Sequence, residues 1–173
     1  MDANSVLIAI DDSESSKRAI TQVARQIHDP SACHIILLHV LRPVPPKLLE
    51  HGGAEDPQEE QRVEASLDAA QAAWQQQEIQ ASQPIFANAM AILKKANIPE
   101  QAIETQTYTP VPGQDIATAI VDVAHDKACG TIVVGRSSYS WLRELMQSHV
   151  ADKLGQQDRA LHLWVVEEDA TPS

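Results

Sequence analysis

Two hydrophobic patterns alternate along the chain. Runs that are apolar at nearly every position, residues 5–10 (SVLIAI), 34–40 (HIILLHV) and 130–134 (GTIVV), fit strands covered on both faces of a parallel sheet. Residues 102–108 (AIETQTY) alternate polar and apolar positions, as an edge strand does, and 160–166 (ALHLWVV) read as a last strand. Between these runs the spacing becomes helical. Ala19, Ile20, Val23, Ala24 and Ile27 form one stripe, and Asp11-Asp12-Ser13 ahead of it offers helix N-cap chemistry. Ile116, Ala119, Ile120, Val123 and Ala124 form a second stripe across 115–127, and 141–155 is also helical, with an irregularity near Ser148. Five strands alternating with helices, joined by right-handed crossovers, predict a Rossmann-like, doubly wound α/β sheet with helices on both faces, in a single domain over 1–173.

The stretch between the second and third strands is longer than a crossover requires. Residues 42–56 hold Pro43, Pro45, Pro46 and Gly52-Gly53 and read as a loop. Residues 57–96 read as helical, but a single helix there would extend roughly 60 Å, longer than the domain. Pro84 is therefore expected to break or kink it. Before Pro84, Val63, Leu67, Ala70 and Trp74 make a narrow seam at 4-3-4 spacing; after it, Ile85, Phe86, Ala89, Met90 and Leu93 make a wider core face. The seam is expected to pack on the chain's own sheet, with a partner helix as the alternative. The loop would serve either as a lid over a ligand cleft or, with the helix, as a place to recruit another protein.

Composition narrows the function classes. With 43% apolar residues the 173-residue chain can build one core. A formal net charge of −11 argues against nucleic-acid and anionic-membrane partners, and the apolar runs are too short to span a bilayer. Met1-Asp2-Ala3-Asn4 has neither the basic nor the apolar part of a secretion signal, so the expected location is the cytoplasm. Cys33 and Cys129 form no CxxC, no HExxH occurs, and His34 and His39 point to opposite faces of one strand, so no metal site is expected. The last strand places His162, Trp164 and Val166 on one face and Leu161, Leu163 and Val165 on the other. At a sheet edge so apolar a strand invites a second copy, which predicts a two-fold homodimer through it.

The residues also resemble a known family. Residues 6–14 (VLIAIDDSE) look like the opening of universal stress proteins, where a short apolar strand runs into Asp-x-Ser and a helix. Residues 36–40 (ILLHV) resemble that family's second strand, 113–135 (GQDIATAIVDVAHDKACGTIVVG) its third helix and fourth strand, and LHLWVVE its closing strand. The resemblance covers nearly the whole chain in the right order. It implies a parallel sheet of order 3-2-1-4-5 and dimers joined by the last strand. In that order Cys33 and Cys129 sit roughly 9–10 Å apart, too far for a disulfide.

Nucleotide-binding members of the family hold ATP at the carboxyl ends of the strands. Their loop after strand four reads Gly, two residues, Gly, nine residues, Gly, then Ser or Thr. The glycines let backbone N–H groups approach phosphate oxygens at a helix N-terminus. By that resemblance Gly135 is the first glycine, Ser138 and Ser148 replace the other two, and His149 stands where the hydroxyl belongs. Side chains at 138 and 148 crowd a phosphate, and a positive φ at either costs about 1 kcal/mol or more. Arg136 and Arg143 either offset phosphate charge or are surface arginines. Asp11 falls where the family contacts the nucleoside, or else caps the following helix; Val40 falls where backbone groups meet the adenine edge.

The expectation is a dimeric stress-response binding or regulatory module in which ATP binding is weakened or absent and AMP or another adenosine compound remains as ligand. Two alternatives stand beside it: an adenine-nucleotide protein with slow phosphate transfer or hydrolysis, and a protein-interaction scaffold on the long central helix. No GxSxG elbow, P-loop or GxGxxG occurs, and no complete set of cations for phosphoryl transfer is visible, so no catalytic residue is assigned.

Overall fold

The sheet is built from the apolar runs. A computed structural model of the chain describes residues 5–50, 53, 55–136 and 161–167. Its strands are β1 (Ser5–Ala9), β2 (His34–Val40), β3 (Ile103–Tyr108), β4 (Thr131–Gly135) and β5 (His162–Val166), and its helices are α1 (Glu14–Gln26), α2 (Pro57–Lys95) and α3 (Ile116–Asp126). All four strand pairs are parallel, in the order β3-β2-β1-β4-β5. Successive side chains along a strand enter opposite layers. Leu7, Ile36, Leu38 and Val134 meet Ile120 and Val123 of α3 on one face. Ile8, Ile35, Leu37 and Val133 meet Ile20 and Val23 of α1 and Phe86 and Leu93 of α2 on the other. This two-sided burial is why the strands are apolar throughout rather than alternating. β5 divides as its sequence predicts, with Leu161 and Val165 against the α3 layer and Trp164 and Val166 against the α1 layer. The expected helix over 141–155 lies outside the described residues.

The central segment departs from expectation. α2 runs for 39 residues as one helix through Pro84, a length of about 58 Å. Pro84 has no N–H for the Gln80 carbonyl, but both residues are exposed, so water can take the place of that bond and the helix continues. Only the second half of α2 is buried, through Ser82, Phe86, Ala89 and Leu93. The seam expected to pack on the sheet does not: Val63 is 36% exposed, and every residue from 57 to 66 lies on the surface. The free half is nonetheless tied down at its base. Gln71 Nε2 donates to the Leu48 carbonyl (2.5 Å) in a short 3₁₀ turn, Pro46–Leu48. Gln75 Nε2 donates to Thr109 Oγ1 (3.4 Å), and Arg42 forms a bidentate pair with Glu78.

Helix ends explain two positive φ values. α2 closes with Asn97 (φ 62°) and α3 with Ala128 (φ 53°). At the end of α3 the Cys129 N–H donates to the Ala124 carbonyl (2.8 Å) across a left-handed residue, a position usually held by glycine. A β-carbon there costs roughly 1–2 kcal/mol, offset in part by the entropy that glycine loses on folding. Ala128→Gly is therefore expected to raise stability by up to about 1 kcal/mol, read as a higher urea midpoint at unchanged slope; a lower midpoint would contradict this account of the helix end.

Candidate functional site

Parallel strands that end side by side leave a crevice at their carboxyl ends. Here β2 runs two residues past the end of β1 and α3 begins beside them, which leaves a cavity of about 140 Å³ walled by Ile10, Asp11, His39, Val40, Ile116 and Ile120. Two of the residues expected in a nucleotide site, Asp11 and Val40, thus face the same space.

The turn from β1 into α1 fixes Asp11. Its Oδ1 accepts from the Ser13 N–H (2.8 Å) and from the Ser13 hydroxyl, while its own N–H donates to Ser16 Oγ (3.0 Å). Ser13, rather than Asp11, is the N-cap of α1, accepting from the Ser16 N–H at 3.2 Å. Of the two roles open to Asp11 in the sequence, direct capping is therefore not the one observed. The carboxylate instead orders the residue that caps, while its side chain stays partly exposed at the crevice.

Gly135 ends β4 against α1. A Cβ built there would lie 2.5 Å from the Ser15 carbonyl carbon, 2.6 Å from its oxygen and 2.7 Å from its Oγ. Backbone cannot yield cheaply, so glycine at 135 is required by the packing of α1 on β4, whatever else it does. Arg136, next along the chain, pairs through Nη1 with Glu167 Oε1 (2.6 Å) just beyond β5. Ser138, Arg143, Ser148 and His149 lie outside the described residues.

Two wall residues were not singled out in the sequence. His39 Nδ1 donates to the Ile10 carbonyl (2.8 Å), which ties the end of β1 to β2, and its ring meets Phe86 edge-on at 6.3 Å. The only sequence signal for it is its place in the His-Val strand ending. Ile116, 37% exposed, projects beside the crevice from the first turn of α3; helical periodicity had assigned it to the core. That turn is secured by Asp115, whose carboxylate accepts from the Thr118 N–H (2.7 Å) and hydroxyl (2.9 Å). Partial burial opposes ionisation of Asp115, but the Thr118 bonds hold its carboxyl below the ordinary value. No residue of 42–50, 53 or 55–56, the described parts of the expected lid, walls the cavity.

Nothing described adds a metal or a reactive thiol. Among the described residues no group of three or more His, Cys, Asp or Glu converges, and no helix is long and apolar enough to cross a membrane. Cys33 and Cys129 form no disulfide; burial pushes the Cys129 thiol up to about 11 and raises that of Cys33.

A doubly wound parallel sheet with a cavity at the carboxyl ends of β1 and β2 defines the general class as an open, doubly wound α/β fold. The profile of the Universal stress protein family matches residues 3–157, and the chain belongs to that family. No curated protein matches the chain. Solved structures agree in fold. A universal stress protein family member from Burkholderia pseudomallei has a TM-score of 0.51 at 15% identity, covering 97% of each chain. A universal stress protein from Archaeoglobus fulgidus in complex with dAMP has a TM-score of 0.53 at 16% identity, covering 96% of this chain and 99% of that one. A family protein from Arabidopsis thaliana with AMP bound has a TM-score of 0.52 at 15% identity, covering 98% of this chain and 96% of that one.

The Gly135 contact yields a direct test. Gly135→Ala is expected to destabilise the fold by about 1–3 kcal/mol, seen in urea unfolding without any ligand present. A change below about 0.5 kcal/mol would mean that α1 yields and that the glycine is not needed for packing.

Proposed function

We propose that this universal stress protein is a dimeric binding module that takes the adenosine part of a nucleotide in the β1–β2 crevice and binds the triphosphate of ATP weakly. The observation that carries the reading is that Asp11 and Val40, 29 positions apart in sequence, wall one cavity at the carboxyl ends of the strands. The Archaeoglobus and Arabidopsis relatives, crystallised with dAMP and AMP, support an adenine nucleotide as the ligand class. The substitutions at Ser138, Ser148 and His149 support the loss of phosphate contacts, since they place side chains where the family's loop uses glycine and a hydroxyl. The pairing of Arg136 with Glu167 supports it further, because an arginine neutralised locally offers less to a phosphate. The position of β5 supports a dimer: it pairs with β4 on one side and, among the described residues, lies at the edge of the sheet on the other, with Leu163 37% exposed.

Calorimetry separates this reading from a competent ATP protein. AMP is expected to bind with a micromolar to millimolar dissociation constant, about −4 to −8 kcal/mol, and ATP no more tightly. Asp11→Asn, which keeps an acceptor for Ser13, should weaken AMP by about tenfold through loss of a charged contact. ATP binding tenfold tighter than AMP, or an Asp11→Asn variant with unchanged affinity, would overturn the assignment.

For the assembly, native mass spectrometry should give twice the 18.9 kDa chain mass, and Leu163→Lys should shift the protein towards monomer. A wild-type monomer at micromolar concentration would remove the dimer from the proposal.

A further inference from the structure

α2 rises beyond the sheet on the same side as the crevice. Its contacts at Glu78 and Gln75 are with Arg42 and Thr109, the second residue after β2 and the first after β3, so these turns stand level with the carboxyl ends of those strands. Residues before Gln71 project past that edge, and everything from 57 to 66 is exposed.

The projecting part has two different stripes. Glu60, Glu64 and Asp68 continue, at helical spacing, the line of Gln71, Gln75 and Glu78, and then of the buried Ser82, Phe86, Ala89 and Leu93. The face that packs on the domain below therefore becomes acidic above it. Among the described residues none of these three carboxylates takes part in an ion pair. Beside them runs the seam Val63, Leu67, Ala70 and Trp74, exposed or half-exposed, and among the described residues no α-helix is packed along it.

We infer that the free half of α2 is a docking surface for a cationic amphipathic helix of another protein, whose apolar stripe covers the seam and whose Lys or Arg side chains meet Glu60, Glu64 and Asp68. A 4-3-4 apolar line is the spacing that a second helix covers by knobs-into-holes packing. The acidic flank selects the charge of the occupant. A second copy of this chain fits poorly, because two-fold antiparallel pairing sets each acidic flank against the same flank of its mate. The ties at Gln71, Gln75 and Glu78 hold the surface in place before the partner arrives, which lowers the ordering cost of binding. This inference does not rest on the nucleotide reading.

The test titrates the full-length protein with a synthetic amphipathic Leu/Lys peptide of about five helical turns, and with its Leu/Glu counterpart, at low and at raised salt. The Lys peptide should bind, more weakly at raised salt, and the Glu peptide should not. Affinity should fall roughly tenfold or more in Leu67→Gln/Trp74→Gln and, separately, in Glu60→Gln/Glu64→Gln/Asp68→Asn. It should be retained in Asp12→Asn/Glu100→Gln/Asp126→Asn, which removes the same charge elsewhere. If the seam variant loses helix by circular dichroism, the carboxylate variant carries the test alone. Equal loss in the control variant, or full binding in the seam variant, would reduce the effect to net charge and overturn the proposal. Binding of the Glu peptide, or self-association that Leu67→Gln abolishes, would overturn it as well, the latter by assigning the seam to a second copy. AMP calorimetry on the same variants keeps the two readings apart, since the crevice is untouched.

Discussion

The contact on which the site depends is the one between α1 and the end of β4. Nothing larger than a hydrogen fits between Gly135 and the Ser15 backbone. The residues around it are small for the same reason: Ser15 and Ser16 are 1% and 0% exposed, and leucines there would hold the helix off the sheet. Their hydroxyls do not go to waste. Ser16 Oγ accepts from the Asp11 N–H, and Ser15 Oγ lies 3.3 Å from Ser13 Oγ. Close packing and polar satisfaction are thus solved by one Ser-rich turn. That turn holds the Asp11 carboxylate at the mouth of the crevice. A glycine that reads as part of a phosphate loop therefore has a prior structural duty, and its presence alone says little about phosphate.

The sheet also sets how much of α2 can be buried. β2, the longest strand, has seven residues, a span of about 23 Å at 3.3 Å per residue. A helix laid along it needs only about 15 residues to match that span. The remaining turns must leave the sheet at one end. Because α2 follows β2 and descends antiparallel to it, they leave at the carboxyl end, where the crevice lies. Hydrophobic burial fixes the lower half through Phe86, Ala89 and Leu93; the polar ties at Gln71, Gln75 and Glu78 then keep the upper half from swinging freely.

Most of the architecture was legible because burial on both faces writes itself into consecutive apolar residues. All five strands, the crossover helices α1 and α3 and the facing of β5 follow from periodicity alone. The failures share a cause. Seam packing was expected from residue type, whereas the strand length forbids it; of the break or kink expected at Pro84 from propensity, the break does not occur, because an exposed position lets water serve the orphaned carbonyl. Arg136 finds Glu167 31 positions away, Gly135 meets Ser15 120 positions away, and His39 reaches the Ile10 carbonyl across strands. None of these pairings carries a local signature. Only the family resemblance brought Asp11 and Val40 together before the fold was in view.

The crevice and the projecting helix share one end of the molecule, but proximity is not coupling. A ligand shifts a distant equilibrium only through contacts that differ between two states. His39 is where such a difference would have to arise. It walls the cavity, anchors the end of β1 through the Ile10 carbonyl, and stacks edge-on against Phe86, which is buried in α2 two turns below Glu78. A ligand that leaves this histidine undisturbed leaves α2 undisturbed by the described route. One that competes for its ring would have to break the β1–β2 tie or repack Phe86, and a packed core resists small continuous shifts. Signalling along this path would thus require a discrete rearrangement of the His39–Phe86 pair; without one, the two surfaces act as separate sites on a rigid frame.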